Sequence, residues 1–366
     1  MTDGPPFRAE HIGSLLRPRA LKEASKKFNA GALSEEAYAE VLDRAVAAAV
    51  ALQESVGLKV ITDGEFRRAS WMSGFFAALD GFALTEAKFV FHDAGGHDHH
   101  YSTCRAGAKI KRTGGIATDE FAQVQAKTDR VVKATLPTPS ALHFFALDDC
   151  ADPAVYPDLD EFWDDLVAVY QEELAVLAAL GARYVQLDEV PLAMLCDPAV
   201  RDQLTAAGED PDALIARYID VTNRALSQRP PGLCVGVHLC RGNFRSRWMA
   251  SGGYEPVAER LFNDLAVDAF FLEYDTPRAG DFSPLRLMPA DKRVILGLIS
   301  TKTAALEPID ALRERIDEAA AYVPLERLSL SPQCGFASVA GGNELTEDDQ
   351  KRKLARVVEV ADMVWG

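Results

Sequence analysis

The stretch Cys234-Val235-Gly236-Val237-His238-Leu239-Cys240 reads as a short buried strand. Apolar β-branched residues fill positions 235 and 237, and polar chemistry begins only at the last positions. Residues two apart in a strand point to the same side, so His238 and Cys240 project together where the strand opens into its loop. An imidazole and a thiolate on one face are half of a Zn²⁺ site and need further ligands from elsewhere in the chain. A buried thiol beside a hydrogen-bonded core histidine accounts for the same pair, so the strands on either side have to decide.

Working outward, apolar runs alternate with helical spacing. The runs are His11–Leu16, Lys59–Glu65, Arg130–Pro137, Tyr184–Glu189, Cys234–Cys240, Ala269–Asp275, Arg293–Ser300 and Leu328–Cys334. Helical patterns cover Ser34–Val56, Leu159–Leu180, residues 211–227, Glu255–Leu265, Ile309–Tyr322 and Thr346–Val364, with Gly57 and Gly181 as stops. Eight strands separated mostly by helices predict a parallel sheet, and at 366 residues a single (β/α)₈ TIM barrel forming one catalytic domain. A doubly wound open sheet is the alternative, but no G-x-G-x-x-G opens any helix. Residues 71–129 break the rhythm with Gly- and His-rich text and are expected to form a loop or hairpin excursion after the second strand.

Composition narrows the partners. The net charge of -16, from 55 acids against 39 bases, argues against a nucleic-acid partner. No apolar run reaches membrane-spanning length and no signal design opens the chain, so a cytoplasmic enzyme with a small-molecule substrate is expected. The six cysteines form no Cys-x-x-Cys pair and suit ligands or buried thiols better than bridges. Homo-oligomerisation is left open.

The strand ends hold most of the polarity: Ser14, Glu65, Asp188-Glu189, His238 with Cys240, Glu273, Ser300–Lys302 and Cys334. In a barrel the carboxyl ends of the strands share one mouth. Strands five, six and eight would then bring His238, Cys240, Glu273 and Cys334 around one point, a donor set that Zn²⁺ accepts. Each has a plainer role on its own, Glu273 as a partner of Arg241 or Arg278 among them. Two thiolate ligands favour a nucleophilic bound sulfur over water activation, which points to alkyl transfer before hydrolysis.

Taken together, Ile12-Gly13-Ser14, Asp63-Gly64-Glu65, Leu187-Asp188-Glu189-Val190-Pro191, His238-x-Cys240, Glu273 and Pro332-Gln333-Cys334-Gly335 resemble the catalytic half of cobalamin-independent methionine synthase, and its short stand-alone relatives. The resemblance runs over nearly the whole chain. It implies a zinc-dependent methyltransferase that activates homocysteine or a related thiol as a zinc-bound thiolate, with His238, Cys240, Glu273 and Cys334 as ligands. It places Ser14, Glu65 and Asp188, with Glu189 beside it, at the amino acid part of the thiol. Lys302 stands where the family has a histidine thought to assist proton transfer, which makes Lys302 and Asp188 the candidate catalytic residues.

Two departures bear on the methyl donor. The family's amino-terminal half is absent, and the segment Leu136–Phe145, where the family stacks the pterin of methylfolate on a tryptophan, has none. An epoxyalkane–coenzyme M transferase-like reaction is the second reading, with Arg241, Arg245, Arg247 or Lys302 holding an anionic thiol. A hydrolase using zinc-bound water is the third. The tract Phe89–Tyr101 holds four of the seven histidines and reads as a solvated loop before a second metal site.

Overall fold

Eleven strands occur among the described residues: β1 (Val60–Ile61), β2 (Leu79–Glu86), β3 (Phe91–His92), β4 (Asp98–His99), β5 (Ser102–Arg112), β6 (Val131–Pro137), β7 (Tyr184–Asp188), β8 (Cys234–Leu239), β9 (Ala269–Glu273), β10 (Arg293–Ile299) and β11 (Leu328–Pro332). The computed structural model describes residues 4–72, 74–75, 78–92, 98–99 and 101–366, with only the backbone of residues 84, 91, 92, 98 and 99. Seven strands make one sheet in the order β1-β6-β7-β8-β9-β10-β11, every pair parallel. Helices separate most of them, so the fold is α/β and consistent with a (β/α)₈ barrel.

The helices begin and end where local chemistry puts them. Ser34 accepts from the Ala37 N–H to open Glu35–Ser55, and Gly57, at φ 95°, lets the chain turn away. Asp158 caps Leu159–Ala179 and Asp210 caps Pro211–Leu226, the latter with proline in its first turn. Thr346 and Asp349 form a reciprocal capping box on Glu347–Trp365. None of the helices among the described residues is long and apolar enough to cross a membrane.

Two sequence expectations need correction. His11–Leu16 is not a ladder strand, and Lys59–Glu65 pairs only over Val60–Ile61. The first segment nonetheless lies between the two edges of the sheet. It meets β11 through the Glu10 N–H on the Leu330 carbonyl and the Leu330 N–H on the Arg8 carbonyl, both 2.9 Å. It meets the β1 side through the Leu15 N–H on the Gly64 carbonyl, 3.0 Å. Three of its carbonyls are claimed by side chains: His11 by Lys133 Nζ, Ile12 by Gln186 Nε2 at 2.7 Å, and Gly13 by Thr62 Oγ1 at 2.7 Å. Backbone groups satisfied in this way cannot form a ladder, which is why an apolar-looking run is no strand.

Between β1 and β6, β2 pairs antiparallel with β5, β3 with β4, and a helix covers Thr118–Gln125. His97 and His100 lie outside the described residues, as do the side chains of His92 and His99, and with them the question of a second metal there.

Inside the sheet the period-two alternation sends Tyr184, Gln186 and Asp188 to one side. There Lys133, fully buried, reaches Glu10 Oε2 at 3.4 Å and Gln186 Oε1 at 2.8 Å. Burial pushes the Lys133 ammonium down and the Glu10 carboxyl up, and each opposes the other's shift. A charge left alone here loses its partner as well as its water. Lys133→Met is therefore expected to lower the unfolding free energy by about 3–5 kcal/mol. Lys133→Met combined with Glu10→Gln should recover more than half of that, as read by urea denaturation. A single variant as stable as the parent would show that the pair does not hold the segment.

Candidate active site and metal centre

A cavity of about 320 Å³ opens at the carboxyl ends of the strands. The register explains which side chains reach it. Asp188, last in β7, pairs with His238 in β8, and Cys240 follows two residues later on the same side. Cys334 comes just after β11, and its Sγ lies 3.7 Å from that of Cys240. One ligand atom from each of His238, Cys240 and Cys334 falls within 4.8 Å of the others, and all three residues are buried.

Electrostatics mark this cluster as incomplete by itself. Both ring nitrogens of His238 are buried with no nitrogen or oxygen partner among the described residues, and the group against the ring is the Cys240 sulfur. An orphaned imidazole of this kind is costly unless something else binds it. The hydrogen bond between the thiols holds Cys240 well below the usual thiol range and Cys334 well above it, so one proton serves two sulfurs. Burial depresses the His238 imidazolium, and the Cys240 thiolate together with the Asp188 and Glu273 carboxylates more than offsets that. Two sulfurs and an unsatisfied imidazole nitrogen fit a tetrahedral Zn²⁺, which would bind all three and leave a position for a further ligand.

Glu273, read from the sequence as a fourth ligand, is outside that trio. Its fully buried carboxylate accepts from the Arg241 N–H at 2.6 Å, pairs with Arg278 Nη2 at 2.5 Å, and has Lys302 Nζ at 3.5 Å. Burial alone would raise its pKa, but Lys302, Arg278 and Arg241 bring it down to about 2. Lys302 thus faces Glu273, and neither residue lines the cavity.

Of the expected substrate contacts, Ser14, Glu65 and Asp188 line the cavity with the three metal-capable residues. Two successive left-handed residues, Gly64 at φ 72° and Glu65 at φ 59°, turn the chain after β1. The Asp63 carboxylate takes the Glu65 N–H at 2.8 Å and steadies that turn. Glu65 Oε1 accepts from Thr135 Oγ1 at 3.2 Å, and burial raises its pKa. Asp188 Oδ1 accepts from Gln186 Nε2 at 2.7 Å, and burial pushes its pKa up to about 7. Gly335 packs on Ser14 so closely that any side chain there would strike Ser14 Oγ. Glu189 does not line the cavity: it bonds Ser140 and accepts the Leu192 N–H at 2.8 Å, starting the short helix Pro191–Met194.

Two features went unread in the sequence. Gln186 orients Asp188, and the alternation Gln186-x-Asp188 at one strand end was the signal for it. Trp71, Tyr101 and Phe145 line the cavity from separate segments, which no local pattern links.

Fold and site together define an α/β domain that gathers a candidate Cys₂His metal centre beside buried carboxylates. The chain belongs to the cobalamin-independent synthase catalytic-domain family, whose profile matches residues 7–362. It is 39% identical to an uncharacterised Bacillus subtilis protein, YxjH, over 98% of this chain and 95% of that one. It is 26% identical to the methionine synthase of Pyrococcus furiosus over 89% of this chain and 85% of the relative. A crystal structure from Listeria monocytogenes, assigned to the vitamin-B12-independent methionine synthases, superposes with a TM-score of 0.75 at 32% identity, covering 99% of this chain and 98% of that one.

The cluster predicts uptake of about one Zn²⁺ per chain. Cys240→Ser and Cys334→Ser should each lose most of it, measured by metal analysis after gel filtration. Full retention in both variants would place the metal elsewhere.

Proposed function

We propose that this chain is a zinc-dependent thiol methyltransferase whose acceptor is homocysteine or a close amine-bearing thiol. One observation carries the reading: the orphaned imidazole and paired thiols share a cavity with Asp188 and Glu65, while no Lys or Arg among the described residues lines it. Membership in the cobalamin-independent synthase family supports it.

His238, Cys240 and Cys334 would hold the zinc. Glu273, with Oε1 on Arg278 and Lys302 and Oε2 on the Arg241 N–H, would be the most easily displaced member of the set. When bound, zinc lowers the pKa of a sulfur ligand, so a thiol substrate loses its proton at neutral pH.

The remaining work belongs to the chain's own residues. Asp188, oriented by Gln186, takes the substrate's ammonium, with Glu65 as the second carboxylate. Ser14, which lines the cavity, lies beside the substrate's carboxylate. Trp71, Met72 and Phe145 keep water from the sulfur. A sulfonate-bearing thiol would instead need a cation in the wall, and Arg241, Arg245, Arg247 and Lys302 are all absent from it. A Cys₂His donor set likewise suits a nucleophilic sulfur better than an acidified water.

Asp188→Asn tests this directly. An ammonium without its carboxylate in a dry pocket costs about 2–5 kcal/mol. The variant should therefore lose at least thirtyfold in kcat/KM with homocysteine while keeping its zinc, because Asp188 is no ligand. The comparison thiol is 2-mercaptoethanesulfonate, which has no amine and should be a poor acceptor for both proteins. Homocysteine turnover indifferent to Asp188 would remove amine recognition from the account.

A further inference from the structure

The backbone of Glu65 is held from both sides. Arg17 Nη2 donates to the Glu65 carbonyl at 2.7 Å, and the Asp63 carboxylate takes the Glu65 N–H. What remains to be set is the direction of the Glu65 side chain, and a line of hydrogen bonds runs from it out of the cavity. Thr135 Oγ1 donates to Glu65 Oε1 at 3.2 Å and accepts from Arg68 Nη1 at 2.9 Å. A guanidinium only donates, so the one hydroxyl proton of Thr135 is left for the carboxylate. Arg68 thereby decides which way that hydroxyl points.

Arg68 is itself fixed at several atoms. Its Nη2 donates to the Thr135 carbonyl at 2.9 Å, beyond Val132, where the pairing of β6 with β1 ends. Its Nε and Nη2 meet Glu120 Oε2 at 3.0 and 2.6 Å. The Arg68 side chain is 5% exposed and that of Glu120 12%, so little water competes for the pair.

Glu120 belongs to the helix Thr118–Gln125, away from the strand ends that form the mouth. The start of that helix is pinned. The N–H groups of Ile116, Ala117 and Thr118 converge on Glu173 Oε1 at 3.2, 2.7 and 3.2 Å, and Arg112 Nε meets Glu173 Oε2 at 2.9 Å. Arg68, Glu120 and Thr135 do not line the cavity, so any effect on a substrate has to pass through Glu65. Burial raises the Glu65 carboxyl; Arg68 opposes this most, with the Thr135 hydroxyl and Arg17 behind it, while Glu120 adds to the rise.

We propose that Arg68, oriented by Glu120, is a positioning residue for amine recognition. Through the Thr135 hydroxyl it ties down Oε1 of Glu65 and leaves Oε2 for the substrate's ammonium. The inference rests on the amine-bearing acceptor proposed above and names the residues that prepare one of its two carboxylates.

The test measures calorimetric binding of homocysteine, and of 4-mercaptobutanoate, the same thiol without its amine, to zinc-loaded protein. Metal content and the urea midpoint are read for each variant. Thr135→Val keeps the side chain's shape and should weaken homocysteine about tenfold, whereas Thr135→Ser restores the hydroxyl and should stay within about twofold of the parent. Arg68→Met combined with Glu120→Gln removes the pair as a neutral whole and should weaken homocysteine by about threefold or more. In every variant the 4-mercaptobutanoate Kd should move by less than about twofold. A folded double variant that binds homocysteine like the parent overturns the role of Arg68, as does an equal loss for both thiols. If the double variant does not fold, Thr135→Val and Thr135→Ser decide, and equal homocysteine affinity in those two overturns the relay. All of these leave the thiol-methyltransferase reading standing. A parent protein that binds homocysteine no better than 4-mercaptobutanoate instead sinks the amine-bearing acceptor, and this inference with it.

Discussion

Much of this structure depends on how the first segment is held against the open edges of the sheet. Residues 8–16 have too little regular pairing to act as a strand, yet they bring Ser14 and the Gly13 turn to the mouth of the fold. Side chains replace the missing ladder. Lys133, Gln186 and Thr62, from three separate places in the chain, each take one carbonyl of residues 11–13. The arrangement requires a buried ammonium, so it also requires Glu10 as the opposing charge. Gln186 then passes the order upward: one end of its amide is fixed by Lys133 and the other meets Asp188. The scaffold that seats the first segment and the group that would receive the substrate's amine are thus one hydrogen-bonded array.

The mouth has two unlike electrostatic zones. On the cavity side lie Asp188, Glu65 and the His238–Cys240–Cys334 trio, with no lysine or arginine among the described residues of the wall. Behind it, Glu273 gathers Arg278, Lys302 and the backbone of Arg241. The cations there face a buried carboxylate and do not line the cavity. The proposed preference for an amine-bearing acceptor rests on this division, and no count of charges along the chain would have exposed it.

Legibility varied with the range of the interaction. Helix limits came out within a residue or two because caps such as Ser34, Asp158 and Asp210 act on their own neighbours. The trio His238, Cys240 and Cys334 was readable because strand alternation and shared strand ends are properties of periodicity. Reading Glu189 as a substrate contact rested on its place beside Asp188, but adjacent strand residues face opposite ways, and it went to Ser140 and a helix start. Lys302 sat at a plausible strand end, yet its direction was set by Glu273 on a neighbouring strand.

The sequence by itself determined the α/β class, the order of most parallel strands, the helix ends and three residues able to share a metal. These follow from local periodicity and from geometry that every strand obeys. Tertiary structure alone decided that the first segment is sewn in by side chains, that Glu273 is surrounded by cations, and that Trp71, Tyr101 and Phe145 meet in one wall. Each of these is a choice among partners far apart in the chain. Such choices are settled by which buried group most needs satisfying once the sheet has formed, and a linear pattern holds no record of that competition.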